Sequence, residues 1–398
     1  MFAIASDDVD EVQRVLGNGE VDPNDVVGPQ SALAFALTNE RLVHRMDIIK
    51  TLLAYGADPS GLSDPELNPP NRSSISDRHS MILSPPVTTV LQSMDPATRY
   101  YMKRADATNT KKASTIIQKS FFRPLARVRY DIVGQDRVFE QLFMVLNRHS
   151  RGFAVAPLVV LLCGPSGHGK SLLARKFGSL LRVPTHTVNV TTLQSTHDLW
   201  QAYSMSPYEE PTSLTLAQFL MENEGKRCVV VLDEIEKTED PKVLYSLLMP
   251  WELGRCSPPG GGRHIDVRNV VWLGTSNVGH ELVFDYQMTL PPQATLSREQ
   301  YTELMGLVRP RLSERLGASL VSRVTAVLPF LPFTDDEKMA IAAEAFYSLG
   351  GETVASLPVD VVESSVRTAL PQYLPAEGAR SLHRAISGLL LEMSEFPQ

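Results

Sequence analysis

The stretch "LLCGPSGHGKSLLARKF", Leu161 to Phe177, decides how the rest of this chain is read. A short apolar run, "LVVLLCG" (Leu158–Gly164), leads into a glycine-rich turn, and "SLLARKFGSLL" follows with apolar residues at helical spacing. The turn fits G-x-x-x-x-G-K-[ST]. A buried strand before it and a helix after it form the setting in which that pattern holds phosphate. Gly164, Pro165, Ser166, Gly167, His168 and Gly169 make up the cradle, where the glycines let backbone N–H groups turn toward phosphate oxygens. The helix that follows points its positive end at the same anion. Lys170 is expected to reach the β- and γ-phosphates of ATP, and Ser171 to offer a hydroxyl to Mg²⁺. His168 reads as a tolerated side chain at a variable loop position.

Two further strands agree with the first. "RCVVVLDEIEK" (Arg227–Lys237) is an apolar run ending in adjacent carboxylates, which at a strand tip need a cation or substrate to offset burial. Asp233 is expected to hold the hydration shell of Mg²⁺, and Glu234 to polarise a water for attack on the γ-phosphate. "VVWLGTSN" (Val270–Asn277) ends in a polar triplet, with Asn277 placed to orient that water. The expected activity is Mg²⁺-dependent hydrolysis of ATP to ADP and phosphate, with no cofactor beyond ATP and Mg²⁺. The alternation of apolar strands and helices from about Tyr130 onward predicts an α/β domain with a parallel sheet flanked by helices.

The totals narrow the setting. A chain of 398 residues with 43% hydrophobic and 21% charged content can fill more than one core. A net charge of −7 argues against nucleic acid as a partner. The apolar stretch Phe153 to Gly164 is interrupted by Pro157 and too short to span a bilayer, so no membrane partner is expected. The opening "MFAIASDDVDEVQR" resembles neither a secretory signal nor a transit peptide, which predicts a cytoplasmic protein, with the nucleus left open. Cys163, Cys228 and Cys256 show no metal-ligand spacing and read as small buried hydrophobes.

Upstream, the chain echoes itself. "DEVQRVLGNG" (Asp10–Gly19) and "DIIKTLLAYG" (Asp47–Gly56) superpose at an offset of 37 residues, with apolar positions at helical spacing and a glycine suited to a helix C-cap in each. These residues resemble ankyrin repeats, with Ser31, Ala32 and Ala34 standing where that family has Thr, Pro and His. A Pro-, Ser- and Asp-rich stretch follows, and then "MDPATRYYMKRADA" reads as a helix with Asp95 at its N-cap and Pro96 in its first turn. Near the C-terminus "DDEKMAIAAEAF" and "GARSLHRAISGLLLEM" are helical in period.

Taken in order, the motifs resemble the Clp/ClpB branch of the AAA+ ATPases, and most of all the C-terminal AAA+ module of ClpB-type disaggregases. The likeness rests on "IVGQDRVFEQL", "LDEIEKTEDPKVLYSLLMPWELGR", "GGGRHIDVRNVVWLGTSNVG" and "GARSLHRAI", and spans about Tyr130 to Met393. Together with the ankyrin-like echo upstream it implies four segments: ankyrin-like repeats in 1–62, a linker over 63–125 with a helix near 95–106, a large P-loop domain in 126–331, and a small helical domain in 332–398. The resemblance further implies that Ile132 and Val133 line the adenine pocket and that Arg380 reaches the γ-phosphate from the small domain. Arg323 would be the arginine finger acting on ATP held by a neighbouring subunit, which requires a ring, usually a hexamer; Arg311 and Arg315 stand close by in the chain.

The pattern breaks at the loops that grip substrate in this family. In "SMSPYEE" (Ser204–Glu210), Tyr208 aligns, but Met205 replaces the gripping aromatic and Pro207 a glycine. Methionine is apolar and adaptable but lacks a flat, stiff ring. Two expectations follow. One is a ring-forming, chaperone-type ATPase that remodels client polypeptides, its ankyrin segment recruiting protein partners. The other is an ATP-gated scaffold that binds partners with little threading.

Overall fold

Apolar runs become strands wherever the chain can bury them on both faces. The computed structural model describes residues 2–19, 21–25, 30–39, 41–59, 94–106, 126–151, 156–204, 214–257, 263–291, 295–355 and 357–395. Its strands are β1 (Leu158–Cys163), β2 (Thr185–Asn189), β3 (Cys228–Asp233), β4 (Arg255–Cys256), β5 (Ile265–Asp266), β6 (Val270–Thr275) and β7 (Ala326–Pro329). β4 and β5 pair only with each other, antiparallel. The other five form one sheet in the order β2-β3-β6-β1-β7, and every pairing in it is parallel. β1, β6 and β7 are buried along their whole length, and β3 up to Asp233.

The strand order builds the site. β1 leads into the phosphate loop and β3 carries the two carboxylates, but β6 lies between them, paired with both. The parallel pairing therefore leaves the C-terminal ends of the three central strands side by side, where an α/β fold opens its binding crevice. The helix Lys170–Leu181 packs across β2, β3 and β6, while the helices Asp136–Arg151 and Arg298–Leu316 pack on β7. Gly274 in β6 is required by this closeness, because a Cβ there would run into the Leu161 side chain of β1.

The chain divides into two compact units that are not contiguous in sequence. The sheet belongs to one, formed by Ser120–Asp335 with Tyr373–Ser381. The other combines Met1–Lys119 with Asp336–Gln372 and Leu382–Gln398. In this second unit the sequence echo falls on two helices, Val9–Gly17 and Arg45–Ala54, which pack together. Asp8 caps the first by accepting the N–H groups of Asp10 and Glu11 at 2.9 and 3.2 Å. Gly19 and Gly56 sit beyond the two helix ends with φ of 73° and 98°, the left-handed backbone that glycine adopts freely.

Asp95 caps the helix Pro96–Asp106 as its sequence predicts, accepting from Ala97 and Thr98 at 3.0 Å each. That helix packs on the helix Arg45–Ala54. Ala97 shares a core with Ala342, Phe346, Val362, Val366 and Ile386 of the C-terminal helices. Beside that core the Glu344 carboxylate accepts from the Tyr101 hydroxyl at 2.8 Å and from the Lys50 ammonium, which also lies over the Tyr101 ring, 4.7 Å from its centroid. The three cysteines are free and buried, and burial pushes each thiol upward. No helix among the described residues is long and apolar enough to cross a membrane.

Candidate active site

The phosphate loop bends where its glycines are. Gly164, Gly167 and Gly169 have φ of 118°, 73° and 96°, which side-chain-bearing residues rarely adopt. Two of them also allow close approach. A Cβ on Gly164 would lie 2.8 Å from the Phe330 carbonyl oxygen after β7, and one on Gly167 would fall inside the Glu377 carbonyl. The loop is thus held between the sheet and the segment Tyr373–Ser381 of the same unit. Ile132 and Val133 are buried, and a Cβ on Gly169 would lie 3.4 Å from the Ile132 side chain.

Lys170 opens the helix after the loop, and its ammonium turns back to donate to the carbonyls of Gly164 and Pro165 at 2.8 and 2.6 Å. Burial pushes that ammonium down to about 8, with Glu236 and Asp233 pulling it upward. The cation sits inside a nearly closed cradle whose natural complement is an anion.

At the crevice floor β3, β6 and the helix Lys170–Leu181 contribute one oxygen cluster. The Ser171 hydroxyl donates to Asp233 Oδ1 at 2.9 Å, and the Thr275 hydroxyl donates to the same oxygen. Thr275 in turn accepts the backbone N–H of Glu234 at 2.9 Å. Two hydroxyls around a carboxylate form an all-oxygen set of the hard kind that Mg²⁺ selects, so the residues present fit that ion. Glu234 has φ 58° and ψ 47°, a left-handed backbone uncommon for a residue with a side chain. Such strain persists where the surroundings fix it. Lys237 donates to Glu234 Oε1 at 2.9 Å.

His168 is not an indifferent loop side chain. Its ring is fully buried, stacks on Phe333 with centroids 4.7 Å apart, and meets the edge of Phe284 at 6.4 Å. Nδ1 hydrogen-bonds the Ser166 carbonyl at 2.7 Å, and Nε2 lies 3.4 Å from the Tyr373 hydroxyl. Burial pushes the imidazole down to about 4, so the ring is neutral near pH 7. Arg380 reaches the loop as well: Nη1 donates to the Ser166 hydroxyl at 3.2 Å, and the neighbouring Ala379 N–H donates to the Gly167 carbonyl at 3.0 Å.

Asn277 follows β6 and its backbone N–H donates to Glu236 Oε1 at 2.8 Å. Arg323 does not bond to the phosphate loop. It pairs with Glu252, with Nε donating to Glu252 Oε2 at 3.1 Å, and also donates to the Ser319 carbonyl. Of the two nearby arginines, Arg315 donates to the Glu236 carbonyl and Arg311 pairs with Glu314. Met205 and Tyr208, the expected substrate-gripping residues, lie outside the described residues. Sequence reasoning passed over Thr275 and Glu236, and named Arg315 only as a neighbour of Arg323 in the chain. Thr275 could have been found, since it begins the polar triplet that ends in Asn277. Nothing local marks Glu236 or the contact it makes with Arg315, because both depend on which elements the fold brings together.

Comparison with known proteins places this geometry. A family model described as "AAA domain (dynein-related subfamily)" matches residues 159–298, the span from β1 into the helix Arg298–Leu316. The chain is 29% identical over 190 residues to the chaperone protein ClpB of Chlamydia pneumoniae, covering 46% of this chain and 21% of that protein. It is 26% identical over 268 residues to ClpB of Enterococcus faecalis, covering 64% and 29%. The human mitochondrial disaggregase is 26% identical over 239 residues, covering 56% and 32%. The chain thus spans about a third or less of the length of these curated relatives. Among solved structures, a closed-state reconstruction of Hsp104 with ATPγS and FITC casein aligns with a TM-score of 0.52 at 19% identity, over 75% of this chain and 52% of that one, a likeness of fold. The chain thus carries an AAA domain over residues 159–298, and it is similar in sequence to bacterial ClpB proteins and mitochondrial disaggregases.

Proposed function

We propose that this chain hydrolyses ATP in the crevice between β1, β6 and β3 and uses the cycle to remodel polypeptides in a ring of like subunits. The observation that carries the reading is the meeting of Ser171, Asp233 and Thr275 on one oxygen, with Glu234 held in a strained conformation beside them. In this reading the loop Gly164–Gly169 and Lys170 bind the triphosphate. Ser171 and Asp233 would hold Mg²⁺, which would supply positive charge to the transferred phosphoryl group. Glu234 takes the proton of the attacking water and Asn277 orients that water. Arg380 places positive charge on the γ-phosphate from the segment Tyr373–Ser381, while Ile132 and Val133 border the adenine.

Arg323 is the group of this reading that acts elsewhere. Its hydrogen bonds run to Glu252, Ser319 and Ser322 and to nothing in its own phosphate loop, as suits a finger that serves a neighbour's ATP. A homo-hexameric ring of the Clp kind would supply that neighbour. The remodelling function is supported by the relatives' own descriptions as chaperones and disaggregases. The helical echo in 10–56 supports an ankyrin-like platform that recruits protein partners.

The second reading is an ATP-gated scaffold with little threading, favoured by Met205 and Pro207 standing where the family grips substrate. Steady-state ATP turnover with and without an unfolded polypeptide such as casein separates the two. Turnover rising several-fold supports remodelling; turnover indifferent to casein, with assembly that depends on ATP, supports the scaffold. The blank is Glu234→Gln, expected to keep ATP binding while kcat falls about 10²–10⁴-fold, as loss of a general base does.

A further inference from the structure

Glu236 stands two residues beyond Glu234 and is 8% exposed, in the turn Ile235–Lys237 that ends β3. A carboxylate that deep is costly unless its oxygens are engaged. Oε1 accepts the Asn277 N–H at 2.8 Å, while Oε2 is buried with no hydrogen-bond partner among the described residues. The backbone carbonyl of the same residue accepts two donors from Arg315, Nε at 3.2 Å and Nη2 at 2.8 Å. Arg315 lies in the last turn of the helix Arg298–Leu316, and the chain passes from there through Gly317 and the short helix Ala318–Val321 to Arg323. One residue thus touches the tail of β6 with its side chain and the Arg323 arm with its backbone.

We propose that Glu236 is a positioning residue that sets Asn277 against Glu234 and passes the position of the Arg315 helix to the hydrolytic end of the site. A shift of that helix moves the Glu236 carbonyl, and with it the carboxylate on which Asn277 hangs. The Arg323 arm of a subunit would then tune the subunit's own water-activating residues. The inference rests on the hydrolysis reading given above.

The test is steady-state ATP turnover of the full chain, alongside equilibrium binding of a fluorescent ATP analogue and a thermal melt. Glu236→Ala is expected to lower kcat about tenfold while analogue binding and KM change less than about twofold, the signature of a contact that matters in the transition state alone. Glu236→Gln, whose amide oxygen still accepts from Asn277, restores kcat to within about threefold of the parent. Should Glu236→Ala fail to fold, Arg315→Lys carries the test. It keeps the charge without the two-donor fork, and kcat falls several-fold with binding unchanged. Turnover untouched by Glu236→Ala or Arg315→Lys overturns the inference. So does a loss of kcat and binding together that glutamine does not rescue. A parent protein that binds ATP without turnover sinks the hydrolysis reading and this inference with it, whereas turnover abolished by Glu234→Gln but indifferent to Glu236→Ala sinks the inference alone.

Discussion

Ser171 and Asp233 are 62 residues apart in the chain, yet the Ser171 hydroxyl donates to Asp233 Oδ1 at 2.9 Å. The two meet because β6 enters the sheet between β1 and β3 and draws both strand ends to its own, where Thr275 bonds the same oxygen. The pair is the axis of the site, and it can be tested from either side. Ser171→Thr keeps the hydroxyl and is expected to retain most activity. Ser171→Ala and Asp233→Asn are each expected to lower kcat/KM by about 10²-fold, the scale at which lost electrostatic support shows in phosphoryl transfer. A coupled ATPase assay over a range of Mg²⁺ concentrations checks this, and wild-type turnover by Asp233→Asn would remove Asp233 from the metal role.

Lys170 is expected to make ATP binding depend on pH. Burial holds its ammonium down to about 8, and the charges of a triphosphate must raise that value in the complex. Above about pH 8 the free lysine is largely neutral, so binding takes up a proton and affinity falls by up to about tenfold per unit as pH rises. Below that point the ammonium is already charged and contributes no slope. Titration calorimetry in two buffers of different ionisation enthalpy is expected to show proton uptake near about pH 9 and none from this group near about pH 6.5. Equal apparent enthalpies in the two buffers at the higher pH would show that Lys170 is not the cation that meets the phosphates.

His168 should tie stability to acidity. Its imidazole is pushed down to about 4 by burial, so between that value and the ordinary 6.5 the unfolded chain binds a proton that the folded chain refuses. Stability therefore falls as pH drops through that window, with a slope of at most about 1.4 kcal/mol per unit. His168→Phe keeps a ring to stack on Phe333 and removes the titration, so its acid flank is expected to be shallower. His186 and His383, both also lowered by burial, leave a residual slope of the same sign. Thermal midpoints of parent and variant across the window read the difference; parallel curves would mean that His168 is protonated freely.

In the helical unit, Glu344 joins three stretches of chain by holding both Lys50 and Tyr101. Tyr101→Phe removes one hydrogen bond and is expected to cost about 1 kcal/mol. Glu344→Ala leaves a partly buried ammonium and a buried hydroxyl without their acceptor, and about 2 kcal/mol is expected. Amide hydrogen exchange resolves where the loss falls. Faster exchange in Arg45–Ala54 and Pro96–Asp106 supports the joint, and a change confined to the helix Asp335–Ala355 would show that the N-terminal helices hold without it.

The phosphate site was legible in the sequence because its chemistry is local. A strand, a glycine-rich turn and a helix are dictated by hydrophobic period and backbone freedom over a score of residues, so the local build around Gly164 to Ser171 could be read from their order alone. The places of Asp233, Glu234 and Asn277, at or just beyond the ends of β3 and β6, were legible for the same reason. The cap of Asp95 on its helix likewise lies within a few residues of what it bonds.

What only the tertiary structure decided are the distant meetings. Thr275 lies between Ser171 and Asp233 because the sheet is ordered β2-β3-β6-β1-β7, and nothing in the hydrophobic pattern fixes a strand order. The His168 side chain looked free until the fold closed Phe333 and Tyr373 around it. Glu236 and Arg315 form a junction through a backbone carbonyl, a group every residue carries and no sequence can flag. The N-terminal helices share one compact unit with the C-terminal helices across more than two hundred intervening residues. An amphipathic face announces that it must be buried; which face it is buried against is settled only when the whole chain has folded.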